Sequence, residues 1–161
     1  MEYKTTDLCD AFCDDVTIAD SHGFKDYGGR KTFSGKIHTH QCYEDHAGVE
    51  KILETDGTGK VLIVDGGASL RCALTGDRLA GIGIKNNWSG IIINGCIRDS
   101  ATIAGLNIGV KALNTYPISK VTTTQWPENI DVEFAGITFT PGHFVYCDED
   151  GIITSAKALA L

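Results

Sequence analysis

Two short segments hold side chains that could act together on an anionic substrate. The first is Gly76-Asp77-Arg78-Leu79, where an apolar stretch gives way to helical spacing. Backbone N–H groups in the first turn of a helix have no intrahelical acceptor, and the helix dipole favours negative charge there. The N–H groups of Arg78 and Leu79 are therefore expected to hold a carboxylate. The second segment is Arg98-Asp99, just beyond the apolar run Ile91-Ile92-Ile93. Arg98 offers a planar fork that grips a carboxylate with two hydrogen bonds. Asp99 offers a hard oxygen ligand suited to Mg²⁺ or Mn²⁺, and Mg²⁺ often takes only one or two protein carboxylates and keeps several waters. Taken alone, each segment reads more simply as local structure: Asp77 as an N-cap, Arg98 and Asp99 as a surface ion pair. The combination is what points to chemistry.

Other reactive side chains carry less. His38, His40 and Cys42 alternate, so a strand would place them on one side and mimic a zinc site. No fourth ligand accompanies them, and a half-exposed strand face is the expectation. Cys9 and Cys13 lie one helical turn apart and are expected on a packed helix face, and His143 reads as structural. A Schiff-base mechanism would need a desolvated lysine, whereas Lys60, Lys85 and Lys111 have ordinary surroundings. Asp65-Gly66-Gly67 does not supply the G-x-G pattern of a nucleotide-type methyltransferase.

The elements that must position Asp77 and Arg98-Asp99 are legible from periodicity. Thr5 to Asp15 reads as a helix, Asp20 to Arg30 as a glycine-rich loop, Thr32 to Tyr43 as a strand and Ala47 to Thr55 as a helix. Lys60 to Val64 is a buried strand, Leu70 to Leu74 a further strand, and Gly76 to Asn87 a helix. Gly90 to Asn94 is a strand, followed by a short helix from Asp99 to Gly105 and a strand from Val110 to Leu113. From Val132 onward the pattern is strand-rich, through Ile137 to Phe139, Phe144 to Tyr146 and Ile152 to Thr154. A βα-like middle followed by a β-rich end predicts an α/β fold of sheets with helices packed on one face. No repeat or linker interrupts residues 1–161, so one domain is expected.

Composition sets the class. With 161 residues, 42% apolar and 22% charged, the chain is that of an ordinary folded protein. A net charge of −7 argues against direct nucleic-acid binding. No apolar run approaches the roughly twenty residues of a membrane helix, and the first ten residues do not resemble a signal peptide. A cytoplasmic protein whose six cysteines stay reduced is the expectation.

The run Val64-Asp65-Gly66-Gly67-Ala68-Ser69-Leu70-Arg71, then Gly76-Asp77, then Asn94-Gly95-Cys96-Ile97-Arg98-Asp99 resembles the central signature of the RraA-like family. That family joins regulators of ribonuclease E activity to class II aldolases of 4-hydroxy-4-methyl-2-oxoglutarate. Weaker likeness extends through Tyr27-Gly28-Gly29-Arg30, Cys42-Tyr43-Glu44-Asp45 and Tyr146 to Ile153. The resemblance implies a swivelling β/β/α domain and a homotrimer or dimer of trimers with sites between subunits. It implies Asp99 as the metal ligand, Arg98 as the group that steadies an enolate oxygen, Asp77 as the residue that orients water on the metal, and the backbone of Gly76 to Leu79 as the carboxylate site. The implied activity is a metal-dependent carbon–carbon lyase on 2-oxo acids, either aldolase or oxaloacetate decarboxylase. The implied alternative is a non-catalytic protein that binds and inhibits ribonuclease E.

Two departures are visible. The family's aldolases usually carry an acidic residue where this chain has Thr102, and they have a longer C-terminal segment that lends a Glu, whereas the sequence ends at Leu161. Both departures weaken aldol cleavage more than decarboxylation, which needs no base for a hydroxyl proton.

Overall fold

The computed structural model describes residues 2–160. Ten strands and four helices follow one another as α1 (Thr5–Ala11), β1 (Val16–Ile18), β2 (Lys25–Asp26), β3 (Phe33–Gln41), α2 (Ala47–Leu53), β4 (Lys60–Asp65), α3 (Asp77–Lys85), β5 (Gly90–Ile97), α4 (Ser100–Ile103), β6 (Gly109–Thr115), β7 (Val132–Phe134), β8 (Ile137–Phe139), β9 (Phe144–Cys147) and β10 (Ile152–Ser155). Eight strands form one sheet in the order β1-β10-β9-β3-β4-β5-β6-β2, and β7 pairs with β8 in a separate hairpin. The central four, β3 to β6, run parallel and are joined through α2, α3 and α4. The flanking strands are antiparallel.

Strand parity explains the layering. Leu62 is paired with Ile91 and Ile91 with Val110; Val64 is paired with Ile93 and Ile93 with Ala112. These residues share one face, packed against Val49, Ile52 and Leu53 of α2, Leu79 and Ala80 of α3 and Ile103 of α4. Val61, Ile63 and Ile92 point the other way, into a second core with Phe33, Ile37, Val145, Val132 and Phe139. The β7–β8 hairpin closes that side, its Phe134 and Phe139 rings stacked 4.5 Å apart. Leu8 of α1 packs with Tyr146 and Ile153, which the pairing places on the helix side of the sheet. Hairpin, sheet and helices thus form three layers with all helices on one face, as the alternation of patterns predicts. Each fully buried Val, Leu or Ile contributes about 1.5–3 kcal/mol by its removal from water.

Two glycines permit a close contact across the sheet. Cβ atoms at Gly90 and Gly109 would lie 2.3 and 2.1 Å from atoms of the Phe33 ring, so the ring rests directly on the backbone of β5 and β6. On the other face the Trp88 indole donates to the Thr55 carbonyl at 3.0 Å and ties the end of α2 to the start of β5.

Four elements depart from the expected boundaries. The first helix stops at Ala11, and the chain then forms the edge strand β1. The glycine-rich loop contains the short strand β2, paired with Ala112 and Lys111 of β6. Leu70 to Leu74 is not a strand: only Ala73 makes a bridge, to Cys96. β5 continues past Asn94 to Ile97 through a register shift between Ile93 and Cys96. That bulge carries Asn94-Gly95, which local composition marks as a turn, and it re-aims the end of the strand.

Candidate active site

The carboxyl ends of parallel strands are where α/β sheets bind ligands, and here the ends of β4 and β5 flank a crevice. After β4 the chain turns and comes back alongside the end of β5. Leu74 N–H donates to the Cys96 carbonyl at 2.9 Å, and Arg98 N–H donates to the Thr75 carbonyl at 2.9 Å. This return places Gly76, the N-cap of α3, against Asp99, the N-cap of α4. A Cβ at Gly76 would sit 2.5 Å from Asp99 Oδ2 and 3.3 Å from Arg98 Cγ. A side chain at position 76 would displace the Asp99 carboxylate.

Asp99 is held in the left-handed region, at φ 56° and ψ 37°. Its Oδ2 accepts the N–H of Asp77 at 3.1 Å, while Oδ1 has no protein partner among the described residues. The Asp77 side chain is exposed at the first helical position, so the N-cap is Gly76 and not Asp77. Arg98 is exposed and bonded only at long range, Nη1 to the Pro117 carbonyl at 3.4 Å. Its fork is therefore available to a ligand.

Arg78 is committed elsewhere. Its guanidinium forms two bonds to Glu50 of α2, at 2.6 and 3.0 Å, and these hold the Glu50 carboxyl below the usual range. What Arg78 offers the crevice is its backbone N–H. Like that of Leu79, it has no acceptor among the described residues, as expected of a first helical turn. Gly76, Asp77, Arg78, Leu79, Arg98 and Asp99 all line the one crevice, so the residues singled out by chemistry are brought together.

His46, Thr75 and Ser119 complete the wall. They belong to loops whose approach depends on tertiary structure, and spacing gave no sign of them. The one local signal is the polar triplet Glu44-Asp45-His46 at the end of β3. Glu44, at φ 48°, accepts from Ser69, Arg71 and Lys120. Asp45, fully buried, accepts from Ala47 N–H, Thr122 and the Trp126 indole. Burial alone would raise the Asp45 carboxyl; these bonds together bring it below its ordinary value. The N–H of His46 donates to the Lys120 carbonyl at 3.0 Å. The triplet thus pins the segment after β6, which in turn presents Pro117 to Arg98 and the Ile118 carbonyl to Ala73 N–H.

No group of three or more His, Cys, Asp or Glu side chains suited to a metal gathers among the described residues. The donor set is therefore unlike that of a zinc site. It fits a hard cation that keeps most of its waters: one exposed carboxylate, Asp99, with a free oxygen, and a second, Asp77, one helix start away. The alternating His38, His40 and Cys42 do face one side, but not as a half-exposed face. His38 pairs with Glu128 at 2.8 Å, whereas His40 and Cys42 are buried beneath the helix layer. Cys9 lies partly buried beside the α1 cluster and Cys13 is exposed, beyond the end of the helix; all six thiols are free. No helix among the described residues is long and apolar enough to cross a membrane.

Against known proteins, residues 5–154 match the RraA-like family model, described as Aldolase/RraA. A protein of Aromatoleum aromaticum named "Putative 4-hydroxy-4-methyl-2-oxoglutarate aldolase" is 50% identical over 159 residues, covering 99% of both chains. One of the same name from Pseudomonas aeruginosa is 47% identical over 161 residues, covering 100% of this chain and 99% of its own. Among solved structures, the RNA-processing inhibitor RraA from Thermus thermophilis superposes with a TM-score of 0.92 at 35% identity, covering 99% of this chain and 96% of that one. A Geobacillus kaustophilus structure described as an S-adenosylmethionine:2-dimethylmenaquinone methyltransferase gives 0.94 at 43%, covering 98% and 97%. With a family match over nearly its whole length and near-full-length relatives at such identities, the chain belongs to the RraA-like family.

Proposed function

We propose that this protein is a divalent-metal-dependent lyase that breaks a carbon–carbon bond in 2-oxo acids by way of a pyruvate enolate, as 4-hydroxy-4-methyl-2-oxoglutarate aldolase or oxaloacetate decarboxylase. The observation that carries it is the junction of Gly76 with Asp99. There an exposed carboxylate, an uncommitted guanidinium and two acceptor-free N–H groups converge on one crevice.

The roles follow from the donors. Arg78 and Leu79 N–H bind the substrate carboxylate, aided by the positive end of α3. Asp99 would hold Mg²⁺ or Mn²⁺, and Asp77 would orient a water nearby. The cation, when bound, supplies Lewis-acid polarisation of the keto oxygen. Arg98 donates to that oxygen as charge arrives on it, and such a fixed donor in a shielded site lowers the barrier to enolate formation. The bond beyond C3 then breaks, releasing CO₂ or a carbonyl product, and the enolate carbon takes up a proton.

In this reading the chain is one domain that acts in the cytoplasm. It assembles as a homotrimer or dimer of trimers, and the exposed apolar side chains Tyr43, Leu70, Ile118 and Val121 are the surface that a neighbouring subunit covers. Relatives of almost the same length that bear the aldolase name support the assignment. A methyltransferase reading finds less support: Gly66 and Gly67 after β4 are packed against Leu74 and Tyr43, with Cβ distances of 2.5 and 2.9 Å, rather than open to a cofactor.

The likeness to a structure described as an RNA-processing inhibitor favours one alternative, a regulator that binds ribonuclease E. One assay separates the two. Purified protein is expected to release pyruvate from oxaloacetate with Mg²⁺ or Mn²⁺ and to stop when EDTA is added. A rate equal to the protein-free control under both conditions, with binding to ribonuclease E, would establish the regulator instead.

A further inference from the structure

Enolate formation leaves a carbon that must be protonated, and no side chain assigned above is given the task of carrying the proton to it. Guanidinium groups such as Arg78 and Arg98 do not release one near neutrality. The Thr75 hydroxyl is bonded to the Leu74 carbonyl at 2.9 Å. Asp77 and Asp99 are assigned above to orienting water and holding the cation. Imidazole is the side chain that most readily carries a proton there, and the crevice has one, His46.

The backbone of His46 is fixed from both sides. As N-cap of α2 it accepts Glu50 N–H at 3.1 Å, and its own N–H donates to the Lys120 carbonyl at 3.0 Å. The ring is uncommitted. Nδ1 is buried with no partner, and Nε2 forms no protein hydrogen bond among the described residues. The two residues before it, Glu44 and Asp45, spend their side chains on loop contacts. The other histidines stand elsewhere: His22 and His38 pair with Asp20 and Glu128, and His143 lines a different part of the surface. His40 is sealed under Gly48, where a Cβ would lie 2.4 Å from its ring. A half-buried imidazole that the fold leaves unbonded, on a rigid backbone, in the wall of the crevice, is placed to meet a ligand.

We propose that His46 is the proton carrier of the reaction, giving a proton to the enolate carbon, a role that rests on the lyase reading. The imidazolium N–H bond breaks and the C3–H bond forms. Pyruvate leaves, and the neutral ring takes a proton from water. In reverse, the neutral ring removes a proton from the methyl group of pyruvate. Charged residues that share the crevice with His46 are Asp77 and Arg78 on α3 and Arg98 and Asp99 before α4; Glu50 on α2 lies close enough to feel its ring, and Lys120 meets its backbone.

The test follows exchange of the pyruvate methyl protons in D₂O with Mg²⁺ by proton NMR. It compares wild type with His46→Gln and His46→Asn, each checked for fold by circular dichroism. Calorimetry with oxalate, a planar mimic of the enolate, reports binding apart from proton transfer. Both variants are expected to exchange about 10²- to 10⁴-fold more slowly, to bind oxalate as wild type does, and to regain part of the rate with free imidazole. Exchange at the wild-type rate in a folded variant would overturn the role. So would oxalate affinity falling in step with exchange, which would make His46 a binding or structural residue. Wild-type protein that neither exchanges nor binds oxalate would remove the lyase reading itself.

Discussion

At the scale of single residues, the crevice depends on what each atom is free to do. Asp99 has one oxygen bonded to Asp77 N–H and one without a protein partner. Asp99→Ala is expected to abolish metal-dependent pyruvate release while leaving the far-ultraviolet dichroism unchanged; a variant that still turns over would refute the metal role. Gly76→Ala makes a sharper demand. Its Cβ would meet Asp99 Oδ2 at 2.5 Å, so the carboxylate must move, and a displacement of that order costs about 10²-fold in rate. Steady-state kinetics should show the loss at saturating Mg²⁺, with α3 intact. Arg98→Lys should slow decarboxylation and aldol cleavage together, because an ammonium cannot reproduce the guanidinium fork. Arg78→Ala should change kcat little, since that side chain serves Glu50 and only its N–H faces the substrate.

At the scale of elements, Phe33 joins three strands by lying on Gly90 and Gly109. Phe33→Ala should cost about 3–5 kcal/mol, read from the urea midpoint. The docking of α1 has a pH signature. Burial alone would raise the Asp148 carboxyl, but it accepts the hydroxyl and N–H of Thr5 and the N–H groups of Asp150 and Gly151, which bring it below the ordinary 3.8. A depressed folded-state value means the stabilisation is fully present above pH 3.8 and is lost as pH falls through the lower folded value. Urea titrations of wild type and Asp148→Asn should therefore differ at neutral pH and converge in strong acid.

Much of this architecture is legible in period alone. The runs at Lys60, Gly90 and Val110 are too apolar and β-branched to be anything but buried strands, and the spacing of Leu79, Ile82 and Ile84 makes a helix. Leu70 to Leu74 departs from the strand expectation because Cys72, Ala73 and Leu74 are buried in a returning loop while Leu70 stays exposed, and local composition cannot distinguish that from a ladder. β2 was invisible because two residues, Lys25 and Asp26, are held by partners in β6. In the crevice, Asp77, Arg98 and Asp99 could be picked out by type. His46 and Ser119 could not, since they arrive through contacts distant in sequence.

At the scale of the whole molecule, light scattering should give three or six times the 17.3 kDa of one chain; a clean monomer would detach the exposed rim of Tyr43, Leu70, Ile118 and Val121 from any subunit interface. The two candidate reactions share the enolate and differ in the hydroxyl proton that aldol cleavage must lose. Thr102, exposed on α4, provides no carboxylate for it. Comparing kcat/KM at one pH and one Mg²⁺ concentration should therefore favour oxaloacetate. Faster aldol cleavage that vanishes in His46→Gln would assign that second proton to His46 as well.

The left-handed backbone at Asp99 also limits which mutations the lineage can tolerate. Only Gly, Asn and Asp enter that region readily. A relative that gave up the chemistry while keeping the fold would shed its carboxylate most cheaply through Asn or Gly. A β-branched residue there would strain the loop that launches α4 and so affect folding as well as function. That backbone makes Asp99→Asn the substitution that removes the charge while keeping the loop where it is.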